Sequence, residues 1–334
     1  MKKISGKATG VVSTLIIGLL GFSALPASAQ TAIKIAHPNV PDHPMGKAFS
    51  YFEELVESRS NGDFTVDVFH SSQFGNFDSV VQGLQTGMLQ MGSASTPNLA
   101  PFSDDFLIFD MPFLFPSYEE ADLITDGPIG REAAQALEQT GIFGLGYIDI
   151  GFRHIFNNRK PVENMSDAAG LKIRSTPSGA HIATLSSLGM NPTPISWSEV
   201  YTALQQRTVD GIDIDLNLAW FNNFHEVNKN LTLVRSLYSP HLVMISKSFY
   251  ESLSPSEQIM ITEAFAEMKL YQRNLIRQNE EMILEEMEKA GVQIIELSEE
   301  ERGNWAAASA GVYDQFEDKV GRDLIDRARA TMSD

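Results

Sequence analysis

Cysteine is absent from the 334-residue chain, which excludes disulfides, thiolate metal sites and a cysteine nucleophile. Basic residues are also few, with 25 Lys and Arg against 43 Asp and Glu and a formal net charge of −18. A surface of this sign repels nucleic acid and anionic lipid, so no nucleic-acid partner is expected. It does not exclude a small anionic ligand, because a binding site can be locally positive.

Several catalytic and cofactor motifs are missing as well. His225-Glu226 opens an H-E-x-x-H zinc motif, but Lys229 replaces the second histidine. Gly144-Leu145-Gly146 is followed by Asp149 where a dinucleotide-binding fingerprint requires glycine, and neither a Walker loop nor a G-x-S-x-G elbow occurs. The aspartates within residues 210–215 lack the spacing of a calcium loop. We therefore expect no catalytic residue, no metal and no cofactor.

Residues 1–29 have the pattern of a secretory signal peptide. Lys2, Lys3 and Lys7 accompany an apolar run at 11–20, and Ala27-Ser28-Ala29 precedes the predicted cleavage site after Ala29. The apolar run is short for a membrane span, and no cysteine is present to carry a lipid. Removing the three lysines leaves 22 basic against 43 acidic residues, a net charge of −21. We expect a protein that is free in the periplasm.

The remainder of the chain alternates strand and helix patterns twice, which is typical of α/β lobes. The first series comprises a strand at 33–37, a helix at 45–59, a strand at 64–69, a helix at 78–86 and a strand at 88–94. The second comprises an apolar segment at 142–147, a strand at 171–174, a helix at 178–188, a helix with a Ser196/Glu199 capping box and a strand at 209–216. Two successive α/β lobes are predicted.

One long helix is predicted near the C-terminus. Ser254-Pro255-Ser256-Glu257 has the pattern of a capping box with proline in the first turn, and no breaker follows until Gly291. Up to 36 residues, 255–290, are therefore helical, a length of roughly 54 Å. This exceeds one lobe, so the helix is expected to cross both; a coiled-coil dimer helix is the alternative. The apolar side chains expected to be buried are Ile261, Phe265, Met268, Leu275 and Met282.

Two arginines, Arg153 and Arg174, end apolar segments. A guanidinium group is a planar fork that can hold a carboxylate through two parallel hydrogen bonds. In so acidic a chain, an ion pair with Asp or Glu is the alternative role for each arginine. Ligands of open α/β sheets bind beyond the carboxyl ends of strands, which adds His37 and the segments 71–77 and 93–98 as candidates.

Short motifs in both halves are similar to those of one family. They are H-S-S-Q-F-G at 70–75, L-Q-T-G at 84–87, F-D-M-P-F-L-F at 109–115, N-R-K-P-V at 158–162, G-L-K-I-R at 170–174, G-M-N-P-T-P at 189–194, S-E-V-Y-T-A-L-Q at 198–205, V-D-G at 209–211 and F-H-E-V at 224–227. Their order and spacing resemble the solute-binding proteins of TRAP (tripartite ATP-independent periplasmic) transporters, over nearly the whole mature chain.

The resemblance implies a fold and a function. The fold is an α/β two-lobe periplasmic-binding-protein clamshell, with a strand hinge and a long helix that crosses both lobes. Lobe I comprises 31–150 plus about 240–279, and lobe II comprises 151–239 plus about 280–334. The implied protein is a monomer and not an enzyme; it captures a small carboxylate-bearing acid and delivers it to the TRAP membrane permease. An exported hydrolase is the alternative from another class.

The resemblance also implies the site. Arg174 corresponds to the arginine that holds the carboxylate, Arg153 to a second arginine, and Trp197 to the aromatic that covers the ligand. The remaining implied ligand-binding residues are Asp213, His37, Phe77, Ser95 and Asn98.

The sequence departs from the family pattern after the V-D-G motif. Where many members continue Gln-Glu-Asn-Pro, this chain has Ile212-Asp213-Ile214-Asp215, so the acidic role is kept at Asp213 but Ile214 cannot replace the asparagine. The identity of the ligand therefore stays open. A sugar acid or hydroxy acid is favoured, because carboxylates can accept hydrogen bonds from hydroxyls; a C4-dicarboxylate, a keto acid or an amine-bearing zwitterion is the alternative.

Overall fold

The computed structural model describes Gly6 and residues 30–333. The predicted signal peptide, apart from Gly6, lies outside the described residues. In the described part of the chain the strands form two sheets, with orders β2-β1-β3-β10-β4 and β11-β9-β5-β8-β6-β7. The strands are β1 Thr31–Ala36, β2 Phe64–Phe69, β3 Met91–Ser95, β4 Ile142–Phe152, β5 His154–Asn157, β6 Lys172–Ser175, β7 Asn191–Pro194, β8 Gly211–Ile214, β9 Asn230–Leu233, β10 Tyr238–Ser246 and β11 Gln293–Glu296.

Helices pack around these sheets. They are α1 Pro44–Arg59, α2 Phe77–Thr86, α3 Thr96–Leu99, α4 Tyr118–Thr125, α5 Pro128–Gln135, α6 Met165–Ala168, α7 Gly179–Ser187, α8 Val200–Gln205, α9 Leu216–Phe221, α10 Phe224–Val227, α11 Lys247–Ser252, α12 Pro255–Lys289, α13 Glu299–Ser309, α14 Gly311–Val320 and α15 Arg322–Ser333. Short 3-10 segments occupy Asp104–Asp110, Ala136–Thr140 and Trp197–Glu199. No described helix is both long and apolar enough to cross a membrane.

Each sheet mixes parallel and antiparallel pairs. In the first, β1 is parallel to β2 and β3, and β10 lies antiparallel between β3 and β4. In the second, β6 is parallel to β7 and β8, whereas β5 is antiparallel to β8 and β9. We refer to the first sheet with its helices as the first lobe and to the second sheet with its helices as the second lobe. The predicted two-lobe α/β fold is confirmed.

Two of the points at which the chain crosses between the lobes are neighbours. One crossing joins β4 to β5 through Arg153, and the other joins β9 to β10. The crossings are hydrogen-bonded to each other, because the Arg153 N–H donates to the Leu237 carbonyl at 2.8 Å and the Ser236 N–H donates to the Arg153 carbonyl at 3.1 Å. Arg153 therefore lies at the junction of the lobes.

Helix α12 links the lobes along one side. Its 35 residues begin at a capping box of Ser254 and Glu257, as predicted, and it contacts α1 and β4 of the first lobe and α9 of the second. The predicted crossing of both lobes is confirmed. Further along the chain, α14 contacts the Asp104–Asp110 segment and α7, and α15 contacts α4. The sequence boundaries of the lobes stay a prediction.

The predicted apolar face of α12 is wrong in its second half. Ile261, Phe265 and Met268 are buried, but Leu275 is only half-buried and Met282 is 41% exposed. The face turns because two polar residues, Gln272 and Arg273, are buried against β4. The apolar residues buried beyond them are Ile276, Ile283 and Met287.

Two other local predictions are wrong. Ser196 makes no side-chain cap, and Trp197–Glu199 form a 3-10 turn before α8 begins at Val200. The strand predicted at 209–216 is limited to Gly211–Ile214, because the Asp215 carboxylate accepts from the Leu218 N–H at 2.8 Å and starts α9. This local hydrogen bond ends the strand.

Candidate functional site

A cleft between the lobes contains two adjoining spaces. The outer cavity has a volume of about 350 Å³, and its walls include Phe77, Asn98, Arg174, Pro177, Ile195 and Trp197. The inner chamber is much smaller, about 40 Å³, and its walls include Ser95, Arg153, Thr176, Ser239 and His241. Phe77, Asn98, Arg174 and Trp197 line both spaces. One ligand can therefore extend from the chamber into the cavity.

Arg174, at the end of β6, faces this cleft with no acidic partner among residues 30–333. It is 5% exposed, and its Nε and Nη2 donate to the Ile195 carbonyl at 3.1 and 3.0 Å. Its guanidinium lies 5.8 Å from the centre of the Trp197 ring. Burial, followed by the charge of Arg153, lowers the pKa of Arg174 to about 9. The group is a buried cation that an incoming anion would stabilise.

Arg153 differs because it already has an anionic partner. Its Nε donates to Asp213 Oδ2 at 3.0 Å, its Nη2 donates to the Asp213 carbonyl, and its Nη1 donates to Ser239 Oγ at 3.3 Å. Asp213 is fully buried and lines neither space. The ion pair holds the Arg153 guanidinium in the wall of the inner chamber.

His181 completes this ion pair from α7. Its Nε2 lies 2.7 Å from Asp213 Oδ2, and its Nδ1 lies 2.8 Å from Thr176 Oγ1. Burial lowers the pKa of His181 to about 4, so the ring is neutral and its Nε2–H donates to the carboxylate. Burial alone would raise the pKa of Asp213, but the charge of Arg153 and the hydrogen bond from His181 lower it. Asp213 is therefore ionised.

The charges around the inner chamber do not balance. Arg153 and Arg174 are cationic, Asp213 is anionic and His181 is neutral. The side chains that line the chamber, together with those bonded to them, leave a surplus of one positive charge. The acidic Asp78 is exposed and lines the outer cavity but not the chamber. This arrangement suits one negative charge placed deep in the cleft.

The first lobe contributes polar and aromatic walls. Asn98 donates to Ser95 Oγ, and the Phe77 ring at the start of α2 lies 6.0 Å from the ring of His241. His37 lies behind the walls and lines neither space. Its ring stacks on Phe49, with centres 5.1 Å apart, and accepts from the Asn39 N–H at 3.3 Å. His37 therefore supports Asn39, which lines the chamber.

Four polar residues of the chamber wall were missed by sequence reasoning: Asn39, Thr176, Ser239 and His241. His241 is the most informative, because a histidine stands at the start of the apolar run Leu242–Ile245 in β10. A polar residue within a buried strand is a signal that could have identified it. Thr176 follows Arg174 closely and carried no separate signal.

Two α/β lobes joined by adjacent strand crossings, with a buried cation in the cleft between them, define a two-lobe solute-binding protein. Residues 35–319 match the family model described as bacterial extracellular solute-binding protein, family 7. The chain belongs to this family, and the resemblance to TRAP solute-binding proteins is confirmed.

Individual proteins support this assignment. The 2,3-diketo-L-gulonate-binding periplasmic protein YiaO of Escherichia coli is 33% identical over 280 residues, which cover 84% of this chain and 85% of that protein. The sugar acid binding protein DctPAm of Advenella mimigardefordensis, in complex with galactonate, is 30% identical with a TM-score of 0.88, covering 91% of this chain and 98% of its own.

A TRAP periplasmic solute-binding protein of Sulfurospirillum deleyianum with bound succinate is also 30% identical, with a TM-score of 0.87 and coverage of 91% and 99%. The predicted function, solute binding for a TRAP transporter, is confirmed by the family. Family members are periplasmic proteins that bind small organic acids and work with a membrane permease.

Proposed function

We propose that this protein binds a hydroxylated monocarboxylate, such as a sugar acid, and delivers it unchanged to a TRAP permease as a periplasmic monomer. The observation that carries the proposal is Arg174, a 5% exposed cation in the cleft with no acidic partner in the described chain. A carboxylate in the inner chamber would supply the missing charge. Arg153, held by Asp213, assists it, and Trp197 covers the bound molecule.

The surplus of one positive charge supports a monocarboxylate over a dicarboxylate. A second carboxylate would extend into the outer cavity, where no cation is available among the wall residues other than Arg174 within the described chain. It would also share the outer cavity with Asp78, and like charges repel. Neutral groups of the ligand are preferred there.

The walls of the outer cavity are suited to hydroxyl groups. Several carry uncharged polar side chains, which can donate to and accept from hydroxyls; they are Ser72, Asn76, Asn98, Ser196 and Ser198. The galactonate bound by the Advenella protein and the diketogulonate bound by YiaO are acids of this kind. The succinate bound by the Sulfurospirillum protein makes a C4-dicarboxylate the second candidate.

The other predicted residues take supporting or contacting roles in this proposal. Phe77, Ser95 and Asn98 contact the ligand from the first lobe. Asp213 orients Arg153, and His37 orients Asn39, so neither needs to touch the ligand. The predicted residues therefore divide into those that contact the ligand and those that orient a neighbouring side chain.

A thermal-shift screen tests the proposal. The panel contains galactonate, D-erythronate, succinate, pyruvate and an amino acid, and a ligand present at 100 times its Kd should stabilise by about 2.7 kcal/mol. We expect a sugar acid to raise the Tm most and to be recovered unchanged by NMR. A larger increase in Tm with succinate would contradict the proposal that the ligand is a monocarboxylate. Chemical conversion of the bound acid would favour the alternative that the protein is a hydrolase.

A further inference from the structure

His241 stands at a central position of the first sheet and forms part of the inner chamber. Its strand, β10, pairs with β3 and β4, where His241 lies opposite Ser95 and Ile148. The side chain is 4% exposed and lines the chamber together with Arg153. The apolar residues that follow, 242–245, are fully buried in the core. The fold therefore holds the imidazole rigidly against the ligand space.

The hydrogen-bonding capacity of this imidazole is unused. Nδ1 is buried and has no partner, and neither ring nitrogen bonds to any residue of the described segment 30–333. Most buried polar groups in proteins are hydrogen-bonded, because an unsatisfied one destabilises the fold. His37 and His181, which line neither space, differ because both have hydrogen-bond partners. Other buried polar atoms of the described chain also lack a partner, His225 Nδ1 among them, but His241 is the one of these residues that lines the chamber, where a ligand can reach its ring.

The charge state of the His241 ring restricts which ligand group can form hydrogen bonds with it. Burial, and secondarily the nearby charge of Arg153, lowers the pKa of His241 to about 3, so the ring is neutral at pH 7. A neutral imidazole presents one N–H donor and one lone pair. A carboxylate can only accept, whereas a hydroxyl group both donates and accepts. A hydroxyl is thus the ligand group that can use either nitrogen.

The size of the chamber fixes where that hydroxyl sits on the ligand. A water-sized group needs roughly 10–15 Å³, so the chamber of about 40 Å³ holds only a few such groups. Arg153 and Arg174 line the same chamber, where the proposed function places the carboxylate. Ser239, two residues before His241, bonds Arg153 Nη1 at 3.3 Å. The space that remains beside the carboxylate then accommodates the substituents of the adjoining carbon, carbon 2 of the ligand.

We propose that His241 binds the hydroxyl group on carbon 2 of the ligand, so that the protein selects 2-hydroxy acids over acids that lack this hydroxyl. The inference rests on the proposed function, because it presupposes that the arginines hold the carboxylate. A site built to bind a hydroxyl discriminates strongly against the analogue without it, because its own polar groups are then left unpaired. His241 is accordingly a specificity-determining residue.

Matched pairs of acids test this inference by isothermal titration calorimetry. The pairs are D-erythronate with 3,4-dihydroxybutanoate, galactonate with 2-deoxygalactonate, and malate with succinate. The wild type should prefer the 2-hydroxy member of its best pair by at least about tenfold. His241→Leu should weaken binding of that member on the order of tenfold and leave its partner within about twofold.

Two further variants keep the result interpretable. His241→Gln retains a donor and an acceptor and should recover part of the preference. His225→Leu is the matched control, because His225 stacks on Trp220 with ring centres 4.3 Å apart and lines neither space. It should leave both affinities unchanged. The same measurement on His241→Gln decides the case if His241→Leu does not fold.

Several outcomes would overturn the inference. Equal affinity of the wild type for both members of its best pair would do so, as would an equal loss for both members in the variant, or a preference for the acid without the 2-hydroxyl. In these cases the proposed carboxylate site stands. If no acid binds the folded wild type, the proposed function itself fails, which is a distinguishable result.

Discussion

Replacing Arg174 with methionine should change affinity and stability by very different amounts. Arg174 is buried in the cleft, and its hydrogen bonds to the protein go to the Ile195 carbonyl at 3.1 and 3.0 Å. In the Arg174→Met variant the ligand carboxylate therefore loses its buried cation, which has no acidic partner in the described chain. Methionine matches the unbranched apolar stem of arginine but lacks the guanidinium, so it keeps the packing of the stem and removes the charge beside Trp197.

The size of each effect follows from these contacts. Removing one partner of a buried charge pair costs about 3–5 kcal/mol, so binding should weaken by about 100- to 4,000-fold. In the absence of ligand two effects oppose. Removing an unpaired buried charge removes its desolvation penalty, on the order of several kcal/mol, whereas losing hydrogen bonds from a charged group to the Ile195 carbonyl costs about 1.5–3 kcal/mol. The free energy of unfolding should change by less than about 2 kcal/mol.

Calorimetric titration of the best acid from the screen and urea denaturation measure the two quantities on the same preparation. Arg59→Met is the control, because Arg59 forms a solvent-accessible ion pair with Glu267 at 2.7 Å and neither residue lines the cavity or the chamber. It should leave affinity unchanged and lower stability by less than about 1 kcal/mol. If Arg174→Met folds and binds the acid within a few-fold of wild type, Arg174 does not hold the carboxylate.

Three other substitutions give separate tests. Trp197→Ala should weaken acid binding about tenfold by calorimetry, because it removes the aromatic cover of the cavity; full retention of affinity would contradict this. Arg153→Met should lower the free energy of unfolding in urea by about 3–5 kcal/mol, because it leaves Asp213 buried and unpaired, and a neutral effect would contradict the ion pair. Burial raises the pKa of Asp215 to about 7, so the folded state binds more protons than the unfolded state between about pH 4 and 7, and this carboxyl destabilises the fold as pH rises. Asp215→Asn, which keeps the cap on Leu218, should gain stability relative to wild type more at pH 8 than at pH 4; equal differences at both pH values would contradict this.

Local signals explain which elements were predictable. Helix α12 was expected at 255–290 and is found at Pro255–Lys289, because the Ser254 capping box and Gly291 define its ends within a few residues of sequence. Strand β8 was misjudged for the opposite reason. It is confined to Gly211–Ile214, but the alternation of aspartate and apolar residues continues to Leu216, so the pattern carried no signal for the end of the strand.

The site was only partly predictable, because separate segments build it. Arg174 and Trp197 were identified through motifs in their own neighbourhoods. The pairing of Arg153 with Asp213 joins residues 60 positions apart, and no local pattern encodes it. His241 was missed because hydrophobic patterning treats a buried strand as core and assigns no role to the polar residue within it. Contacts between distant segments decide these roles.

The two arginines looked equivalent in the sequence, but their surroundings assign them different tasks. Arg153 is neutralised by Asp213 within the protein itself, so its contribution to binding is to shape the chamber and to donate from a fixed position. Arg174 is not neutralised in the described chain, and walls from both lobes bury it. Bringing the lobes together without an anion therefore leaves a desolvated cation, which opposes closure. A carboxylate removes this penalty only in the closed arrangement, and this differential affinity is the property by which a ligand can drive closure.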